Sequence, residues 1–415
     1  MKNNLKTNVV IIGGGPAGMM AAIFAAKNGA KTLILEKNEK LGKKLLLTGK
    51  GRCNITSSCK EVKDLVSAFG DNGKFLYSCF NQFDNHALIN FFSESGLKTK
   101  TERGNRIFPT SDKASEVLEI LIKQLNKYGV KVITKTEIKD ISFKNKNFQI
   151  ALNNSIVTSN KLIICTGGVS YPETGSCGDG YKWGKKFGHK IEKIGPALVP
   201  IVIKEHWIKK LQGLSLKNVK ISVYKDNKKI DERTGEAIFT HNGISGPIIL
   251  DMSKKISQNL EKNLELRIDF KPALDYQTLD KRIMRDFNEF KNKALKNSLQ
   301  KLMPKKLIPL MIELTEIDEN KKCAEIRKEE RKKLLNLLKN FKLKISGVED
   351  IIKSIVTSGG INLNEINPKT MESKIIPGLF FAGEILNIDA VTGGFNLQGA
   401  WSTGYVAGIN AACKK

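Results

Sequence analysis

A glycine-rich turn between two short apolar segments is the feature that most restricts how this chain folds. Residues 8–12 form an apolar run, and residues 13–18, Gly-Gly-Gly-Pro-Ala-Gly, contain the pattern G-x-G-x-x-G. A helix-like segment follows at 19–28, and a second apolar run at 31–35 ends at Glu36. This order predicts a strand, a helix and a second strand parallel to the first, which is the start of a parallel sheet.

Each glycine of the turn has a separate role in binding a dinucleotide. Gly13 allows the tight turn, Gly15 lets a pyrophosphate approach bare backbone, and Gly18 lets the helix pack close to the strand. Pro16 and Ala17 lie in the turn that leads into the helix, whose N-terminus supplies free N–H groups and a positive dipole for the phosphates. With a strand before it and a helix after it, the pattern is a strong sign of a dinucleotide site.

An acid at the end of the second strand indicates which nucleotide binds. Glu36 lies 18 residues beyond Gly18, a spacing at which a carboxylate binds ribose hydroxyls. It favours an unphosphorylated ribose, as in FAD or NAD, over NADP at this site. Lys37 and Val132, the latter in a strand-like run at 130–133, are also predicted to contact the cofactor.

Three further clusters favour FAD over NAD. A basic, glycine-bearing loop at 43–54 follows the second strand, in the region where flavoproteins fold over the pyrophosphate and the isoalloxazine. Residues 165–168 and 382–384 resemble strand ends common in flavoproteins, and the acid of the second is expected to hold a ribityl hydroxyl. Residues 393–398 open the last helix, whose N-terminus would favour the negative charge of a reduced flavin. The cofactor contacts predicted from these clusters are Lys44, Gly51, Arg52, Cys53, Asn54, Thr166, Gly167, Gly168, Gly383, Glu384, Gly394, Phe395, Asn396 and Leu397.

Five stretches of the sequence resemble the BaiN/RdsA family of bacterial flavoproteins. They are GKGRCN at 49–54, TGGVSYPETGSCGDG at 166–180, FTHNGISGP at 239–247, NPKTMES at 367–373 and GGFNLQ at 393–398. The resemblance runs nearly end to end, and it implies an FAD domain with a β-barrel and helical insertion. Members of the family are tied to reduction of a conjugated steroid C=C bond, reduction of uridine in ribosomal RNA, and aminoacetone oxidation. The stretch YPETGSCGDG at 171–180 resembles the C=C reductase branch more than the ribosomal RNA branch.

The character of the sequence changes twice along the chain. Short alternating runs at 217–224 and 264–270 predict an antiparallel part, and charged amphipathic segments predict helices over 275–340. Glycine-rich, strand-like sequence returns after residue 346. We therefore predict an α/β fold, in which a Rossmann-like FAD-binding domain is built from both chain ends around an inserted domain. The predicted segments are 1–192 and 346–415 for the FAD-binding domain and 193–345 for the insertion, with a β-rich barrel at about 193–272 and helices at about 273–340.

The chain is strongly basic, with 69 basic and 42 acidic residues and a net charge of +27. Only nine of the basic residues are arginine, the side chain that base-reading proteins favour for its planar fork. Residues 271–345 alone hold 20 basic and 11 acidic residues, a net charge of +9. This excess indicates either Lys-rich, solvated helix faces or a surface that meets a polyanion such as ribosomal RNA.

Composition argues against several classes of protein. Seven thinly spread cysteines are typical of reduced thiols in a cytoplasmic protein. No apolar stretch precedes the first glycine cluster, so no signal peptide is expected. No run of 18 apolar residues occurs, and the uncharged stretch at 390–413 is predicted to be a buried, glycine-rich helix rather than a membrane span.

Few groups suited to proton transfer or substrate binding lie in the predicted active-site loops. His241, in a Gly- and Pro-bearing loop of the insertion, is the candidate proton donor and substrate contact, since histidine titrates near neutral pH; a structural role in capping its turn is the alternative. Tyr171 is a second candidate substrate contact. Cys53 is either a catalytic thiol or a residue packed against the flavin. Five residues separate it from Cys59, whereas the redox pair of disulfide reductases has four.

Together these features predict an FAD-dependent oxidoreductase that uses NADH or NADPH to reduce an activated C=C bond in a small molecule. A second dinucleotide pattern is absent from 190–345, so the nicotinamide donor would visit the flavin directly. The alternatives are reduction of uridine in ribosomal RNA, an aminoacetone-type amine oxidase, and a flavin-bound RNA- or partner-binding protein with little turnover. No metal site is predicted, because His86, His189 and His206 lack ligand partners at useful spacing.

Overall fold

A computed structural model describes residues 3–413. The strands in this part of the chain are β1 (Asn3–Ile12), β2 (Thr32–Leu35), β3 (Thr56–Ser57), β4 (Thr99–Glu102), β5 (Arg106–Pro109), β6 (Lys131–Ile133), β7 (Ile138–Lys144), β8 (Asn147–Leu152), β9 (Ser155–Ile164), β10 (Ile191–Ala197), β11 (Ile201–Ile203), β12 (Ser215–Lys225), β13 (Lys228–Phe239), β14 (Gly243–Ser245), β15 (Leu264–Asp269), β16 (Phe341–Val348), β17 (Val356–Ile361) and β18 (Leu379–Phe381). The α-helices are α1 (Pro16–Lys27), α2 (Lys43–Leu47), α3 (Val62–Ser67), α4 (Tyr77–Gln82), α5 (Asn85–Glu94), α6 (Ala114–Lys127), α7 (Asp179–Lys186), α8 (Pro247–Ser257), α9 (Tyr276–Glu289), α10 (Leu295–Ser298), α11 (Ile308–Thr315), α12 (Lys328–Lys339) and α13 (Phe395–Ala412).

These elements form two compact units. Unit 1 contains the residues up to Ala197 and those from Ile351 onward, and unit 2 is Leu198–Asp350. An α/β unit built from both chain ends, with a closed barrel in the intervening segment, is the predicted fold class, and that class is confirmed.

A largely parallel sheet organises unit 1. Its strand order is β6-β2-β1-β9-β8-β7, and β18 also pairs with β9. β1 runs parallel to β2 and β9, and β18 runs parallel to β9, whereas β7 and β8 extend the sheet as an antiparallel hairpin. The apolar run 9–12 at the end of β1 is fully buried, as expected of a central parallel strand covered on both faces.

Helices α1 and α13 bring the two chain ends of unit 1 together. A Cβ added at Gly404 would lie 2.4 Å from the carbonyl oxygen of Ala17, and one at Gly408 would lie 2.4 Å from that of Ala21. The two helix backbones therefore touch along a stripe of small residues four positions apart. Close packing against α1 explains why the C-terminal stretch carries no charge. None of the helices within 3–413 is long and apolar enough to cross a membrane.

Unit 2 consists of a barrel and a group of helices. The barrel closes in the order β11-β14-β13-β12-β15-β16. In β15 the alternate residues Leu264, Leu266 and Ile268 are buried, which gives the period of two expected of a strand with one face in the core. In α9, Leu279 and Ile283 are buried one turn apart, as in an amphipathic helix.

Candidate cofactor site

The carboxyl ends of four parallel strands meet at one edge of the sheet in unit 1. Ile12 pairs with Leu35 and with Ile164, and Ile164 pairs with Phe381. The loops that follow these strands are those at 13–18, 36–37, 165–168 and 382–384, all of which the sequence predicts to bind the cofactor. Ligands of open α/β sheets bind at this edge.

The glycine turn has the geometry expected of a phosphate cradle. Gly13 has a φ of +100°, and a Cβ there would lie 2.5 Å from the carbonyl oxygen of Cys165. A Cβ at Gly18 would lie 1.9 Å from the carbonyl oxygen of Gly13, so the third glycine is required for helix packing. At Gly15 a Cβ would meet nothing within 4 Å. Gly15 is also the N-cap of α1, which begins at Pro16 and has no capping side chain, so its first N–H groups are free to bind an anion.

Glu36 links the glycine turn to the end of β2. Its Oε2 accepts a hydrogen bond of 2.7 Å from the Gly14 backbone N–H, and its Oε1 accepts hydrogen bonds of 2.8 Å from the backbone and side-chain nitrogens of Asn38. Each carboxylate oxygen has about two lone-pair sites, so Oε2 keeps capacity for a ribose hydroxyl. Lys37 is paired with Asp179 at 2.8 Å, and Val132 lies half-buried on β6.

The loop at 48–54 has an unusual backbone. Gly49, Lys50, Gly51 and Cys53 all have positive φ, between +59° and +83°, and the loop is closed by hydrogen bonds from the Arg52 N–H to the Gly49 carbonyl and from the Cys53 N–H to the Thr48 carbonyl. Arg52 makes hydrogen bonds to the carboxylates of Glu102 and Asp112, and its guanidinium lies 4.1 Å from the ring centroid of Phe108. Its charge is therefore already paired within unit 1, and a pyrophosphate contact from Arg52 stays a prediction.

The Cys53 thiol is fully buried. Burial raises its pKa to about 12, and a hydrogen bond with Thr48 opposes that shift. The thiol is therefore protonated at neutral pH, and it lacks the thiolate character that redox or nucleophilic cysteines need. Among the described residues every cysteine is free. This environment favours packing over catalysis as the role of Cys53.

Alkylation should distinguish the buried thiol from the exposed ones. We expect iodoacetamide at about pH 8 to modify Cys177 and Cys413, which are exposed, and to leave Cys53 intact in the native protein. A thiol of pKa about 12 has a thiolate fraction on the order of 10⁻⁴ at that pH. Peptide mass spectrometry gives the result, and unfolded protein is the control in which all three should react. Native-state labelling of Cys53 as fast as Cys177 would show that the thiol is accessible and ionised.

A charged cluster surrounds Glu384 at the end of β18. Lys44 Nζ lies 2.8 Å from Glu384 Oε2 and 3.0 Å from Oε1, and it also donates to Ser170 Oγ at 2.7 Å. Oε1 further accepts hydrogen bonds from Ser170 Oγ at 3.0 Å and from the Thr357 backbone N–H at 2.9 Å. Burial alone would raise the pKa of Glu384, but the Lys44 charge and these hydrogen bonds hold it below its ordinary value.

Sequence reasoning predicts Lys44 and Glu384 separately but misses Ser170 and Thr357. The Thr357 hydroxyl accepts hydrogen bonds from the backbone N–H groups of Val169 at 2.9 Å and Ser170 at 3.1 Å. A Cβ at Gly168 would lie 2.2 Å from the same hydroxyl. No local pattern marks such a residue, because the two N–H groups that donate to its hydroxyl lie 188 and 187 positions away in the chain.

The start of α13 completes this side of the site. Gly394 is its N-cap, with a φ of +95°, and no side chain caps the helix. A Cβ at Gly394 would lie 2.6 Å from the backbone of Thr56, so the loop that follows Asn54 runs against this helix end. The Asn396 amide exchanges two hydrogen bonds of 2.9 Å with the backbone of Ala390 and so fixes the turn, and Phe395 and Leu397 are half-buried.

Unpartnered polar atoms supply a test of whether these residues fit FAD. Within residues 3–413, Asn54 Oδ1 and Thr166 Oγ1 are buried without a hydrogen-bond partner. Buried polar atoms are normally paired, and both residues belong to the predicted cofactor set. With the open space at Gly15 and two uncapped helix starts, they give a site that suits a long, anionic, hydroxyl-rich ligand. The residues present therefore fit FAD.

The two candidate substrate residues lie in different units. Tyr171 belongs to unit 1; its backbone has a φ of +53° and its N–H donates to the Ile352 carbonyl at 3.3 Å. His241 belongs to unit 2, in the loop between β13 and β14, where the exposed ring has Nδ1 3.2 Å from Gln212 Oε1. No group of three or more metal-ligating side chains occurs in the described part of the chain.

Comparison with known proteins places this architecture among flavoproteins. The family described as the HI0933-like protein Rossmann domain matches residues 7–410. The 3-dehydro-bile acid delta(4,6)-reductase of Clostridium scindens is 34% identical over 97% of this chain and 98% of its own length. A ribosomal RNA dihydrouridine synthase of Escherichia coli is 29% identical over 96% of each chain.

Solved structures show the same fold at low sequence identity. A 3-ketosteroid-delta4-(5alpha)-dehydrogenase from Rhodococcus jostii RHA1 superposes with a TM-score of 0.53 at 13% identity, over 99% of this chain and 97% of that one. A flavocytochrome c3 fumarate reductase superposes with a TM-score of 0.54 at 14% identity, over 98% of this chain and 78% of that one. The resemblance to BaiN/RdsA flavoproteins is thus confirmed, and the chain belongs to the HI0933-like family of oxidoreductases with a Rossmann-like FAD-binding domain.

Proposed function

We propose that this protein is an NAD(P)H-linked reductase of an activated C=C bond in a small molecule. The observation that supports this most is the identity of 34%, over nearly the whole of both chains, with the 3-dehydro-bile acid delta(4,6)-reductase. In the net reaction the nicotinamide gives up a hydride and becomes NAD(P)⁺, while the double bond gains one hydride and one proton. FAD supplies the hydride-transfer chemistry when it is bound.

The residues of unit 1 would bind and orient the cofactor. The open backbone at Gly15 and the start of α1 would hold the pyrophosphate, and Glu36 would accept a hydrogen bond from a ribose hydroxyl. Glu384 would accept one from the ribityl chain, and Asn54 and Thr166, whose buried oxygens are unpartnered, would gain hydrogen bonds. The start of α13 would favour negative charge on the reduced cofactor.

His241 would supply the proton to the substrate. Its hydrogen bond to Gln212 orients the ring through Nδ1, and Nε2 is the nitrogen from which a proton would be donated. Histidine is suited to this step because it exchanges a proton near neutral pH. Tyr171 would contact the substrate in unit 1.

Anaerobic mixing with nicotinamide tests the electron donor. We expect the yellow absorbance of the purified FAD complex to bleach with NADH or NADPH, and to return when a conjugated enone steroid such as 4-androstene-3,17-dione is added. A saturated steroid ketone is the matched control, because it lacks the activated double bond. No bleaching by either donor would contradict the NAD(P)H linkage, and bleaching that no enone reverses would contradict the proposed substrate class.

Reduction of uridine in ribosomal RNA is the second candidate function. The net charge of +27 favours it, as does the identity of 29% with the Escherichia coli ribosomal RNA dihydrouridine synthase. Part of the positive charge in unit 2 is already paired, as in Lys321–Glu330 at 2.7 Å and Lys339–Asp269 at 2.6 Å. This pairing weakens the argument from net charge.

A deletion strain distinguishes the two functions. Its ribosomal RNA is assayed for dihydrouridine by mass spectrometry. Loss of dihydrouridine supports RNA reduction, and its persistence supports the small-molecule reductase.

A further inference from the structure

Lys44 and Glu384 form a hydrogen-bonded ion pair between the N-terminal and C-terminal parts of unit 1. Two hydrogen bonds join Lys44 Nζ to the carboxylate, and a third joins it to Ser170 Oγ. The side chains of Lys44 and Glu384 are only 22% and 21% exposed. The pair is therefore largely shielded from water. In such a site, loss of either charge leaves the other charge without compensation by solvent or by a partner.

The acceptor sites of the Glu384 carboxylate are unevenly used. Oε1 accepts from Lys44 Nζ, Ser170 Oγ and the Thr357 N–H, whereas Oε2 accepts, among the donors within residues 3–413, from Lys44 Nζ alone, at 2.8 Å. A carboxylate oxygen offers about two acceptor sites. Oε1 is saturated, and Oε2 has one site left for a ligand that donates a hydrogen bond, such as a hydroxyl.

We propose that Lys44 is a positioning residue for FAD, which holds the Glu384 carboxylate so that the open acceptor site of Oε2 faces a cofactor hydroxyl. This inference rests on the proposed flavin site, since it takes Glu384 as a cofactor contact. Lys44 itself touches Glu384 and Ser170, and it acts on the cofactor through Glu384.

The charges around Glu384 determine how FAD binding should depend on pH when Lys44 is removed. In the described part of the chain, the titratable groups that face it are Lys44 and Tyr181, and the pKa of Tyr181 is raised by burial and then by the Glu384 charge. Tyr181 stays neutral in the physiological range, so Lys44 is the charge that opposes protonation of the carboxylate. Without Lys44, desolvation would raise the pKa of Glu384, and a protonated carboxyl group is a weaker acceptor for a hydroxyl.

The test is a titration of the apoprotein with FAD, in which binding is measured from the quenching of flavin fluorescence. Lys44→Met should raise the Kd for FAD by roughly tenfold or more, as expected when a charge-assisted hydrogen bond is lost. Its Kd should also rise as the pH falls, beginning at a higher pH than in the wild type, because desolvation that Lys44 no longer opposes raises the pKa of Glu384. Lys44→Arg, which keeps the charge, should restore most of the affinity. Lys43→Met is the matched control, because Lys43 is the exposed neighbour on α2 and its loss changes the net charge equally.

The outcomes separate this inference from the proposed flavin site. A wild-type protein that does not bind FAD would overturn the flavin site itself. A wild type that binds FAD, with a Lys44→Met Kd equal to that of Lys43→Met, or with a Lys44→Arg Kd as weak as that of Lys44→Met, would overturn only the role of Lys44. If Lys44→Met does not fold by circular dichroism, Lys44→Gln replaces it, with the same expected loss of affinity and the same pH dependence.

Discussion

Gly15→Asp should weaken FAD binding by more than about a hundredfold while leaving the apoprotein at least as stable as the wild type. Gly15 is the N-cap of α1, with extended backbone at φ −79° and ψ −174°, and a Cβ there would enter open space. Aspartate is a favoured N-cap residue, worth a few tenths of a kcal/mol over glycine. The same carboxylate would stand where the pyrophosphate of FAD must approach. Two like charges about 4 Å apart at an effective dielectric constant of about 20 repel by about 4 kcal/mol, so the Kd should rise by more than about a hundredfold.

Two measurements on the same variant check both parts of this expectation. Urea unfolding of the apoprotein gives the free energy of unfolding, and titration with FAD gives the Kd. Gly195→Asp is the charge-matched control, because Gly195 in β10 also has open space around its Cβ position, and its Kd should change by less than about threefold. A Gly15→Asp variant that still binds FAD would mean that the pyrophosphate does not pass residue 15, and one that unfolds would mean that the space there is not open.

The first strands and helix were accessible to sequence reasoning because glycine and proline act locally. The strand predicted at 31–35 is β2, Thr32–Leu35, and the helix predicted at 19–28 is α1, which begins earlier, at Pro16. Proline is well suited to the first position of a helix, where its missing N–H is not needed. In unit 2 the strand predicted at 264–270 is β15, Leu264–Asp269, because its alternating apolar residues report one buried face.

The ion pairs and hydrogen bonds between side chains of the site could not be predicted, because they join residues that are distant in the chain. Lys44 and Glu384 are 340 positions apart, and Arg52 meets Asp112 across 60 positions. Charge and position in a glycine-rich loop make Lys44 and Arg52 equivalent candidates for phosphate, yet the fold gives each a carboxylate partner. Likewise, the sequence around Cys53 does not show that its thiol is buried. Such pairings depend on which strand ends meet, and no periodic pattern carries that information.

The contact between α1 and α13 leads to the second large expected effect, on stability. Gly404→Ala places a methyl group 2.4 Å from the carbonyl oxygen of Ala17, and neither helix backbone can yield without moving the whole helix. In an unobstructed helix, glycine to alanine stabilises by roughly 0.5–1 kcal/mol. Here overpacking reverses the sign, and we expect the free energy of unfolding to fall by about 2–3 kcal/mol.

Gly399→Ala is the matched control for this effect, since it makes the same substitution in the same helix. The nearest atom to a Cβ at Gly399 is the end of the Phe69 ring at 2.9 Å, and a ring can rotate or shift where a backbone carbonyl cannot. Urea unfolding, monitored by circular dichroism, should therefore show a smaller loss of unfolding free energy for Gly399→Ala than for Gly404→Ala.

Gly404→Ala should also weaken FAD binding, because the start of α1, which is proposed to hold the pyrophosphate, moves when Ala17 is displaced. Equal or greater stability of Gly404→Ala relative to the wild type would show that the two chain ends do not pack as closely as the structure indicates.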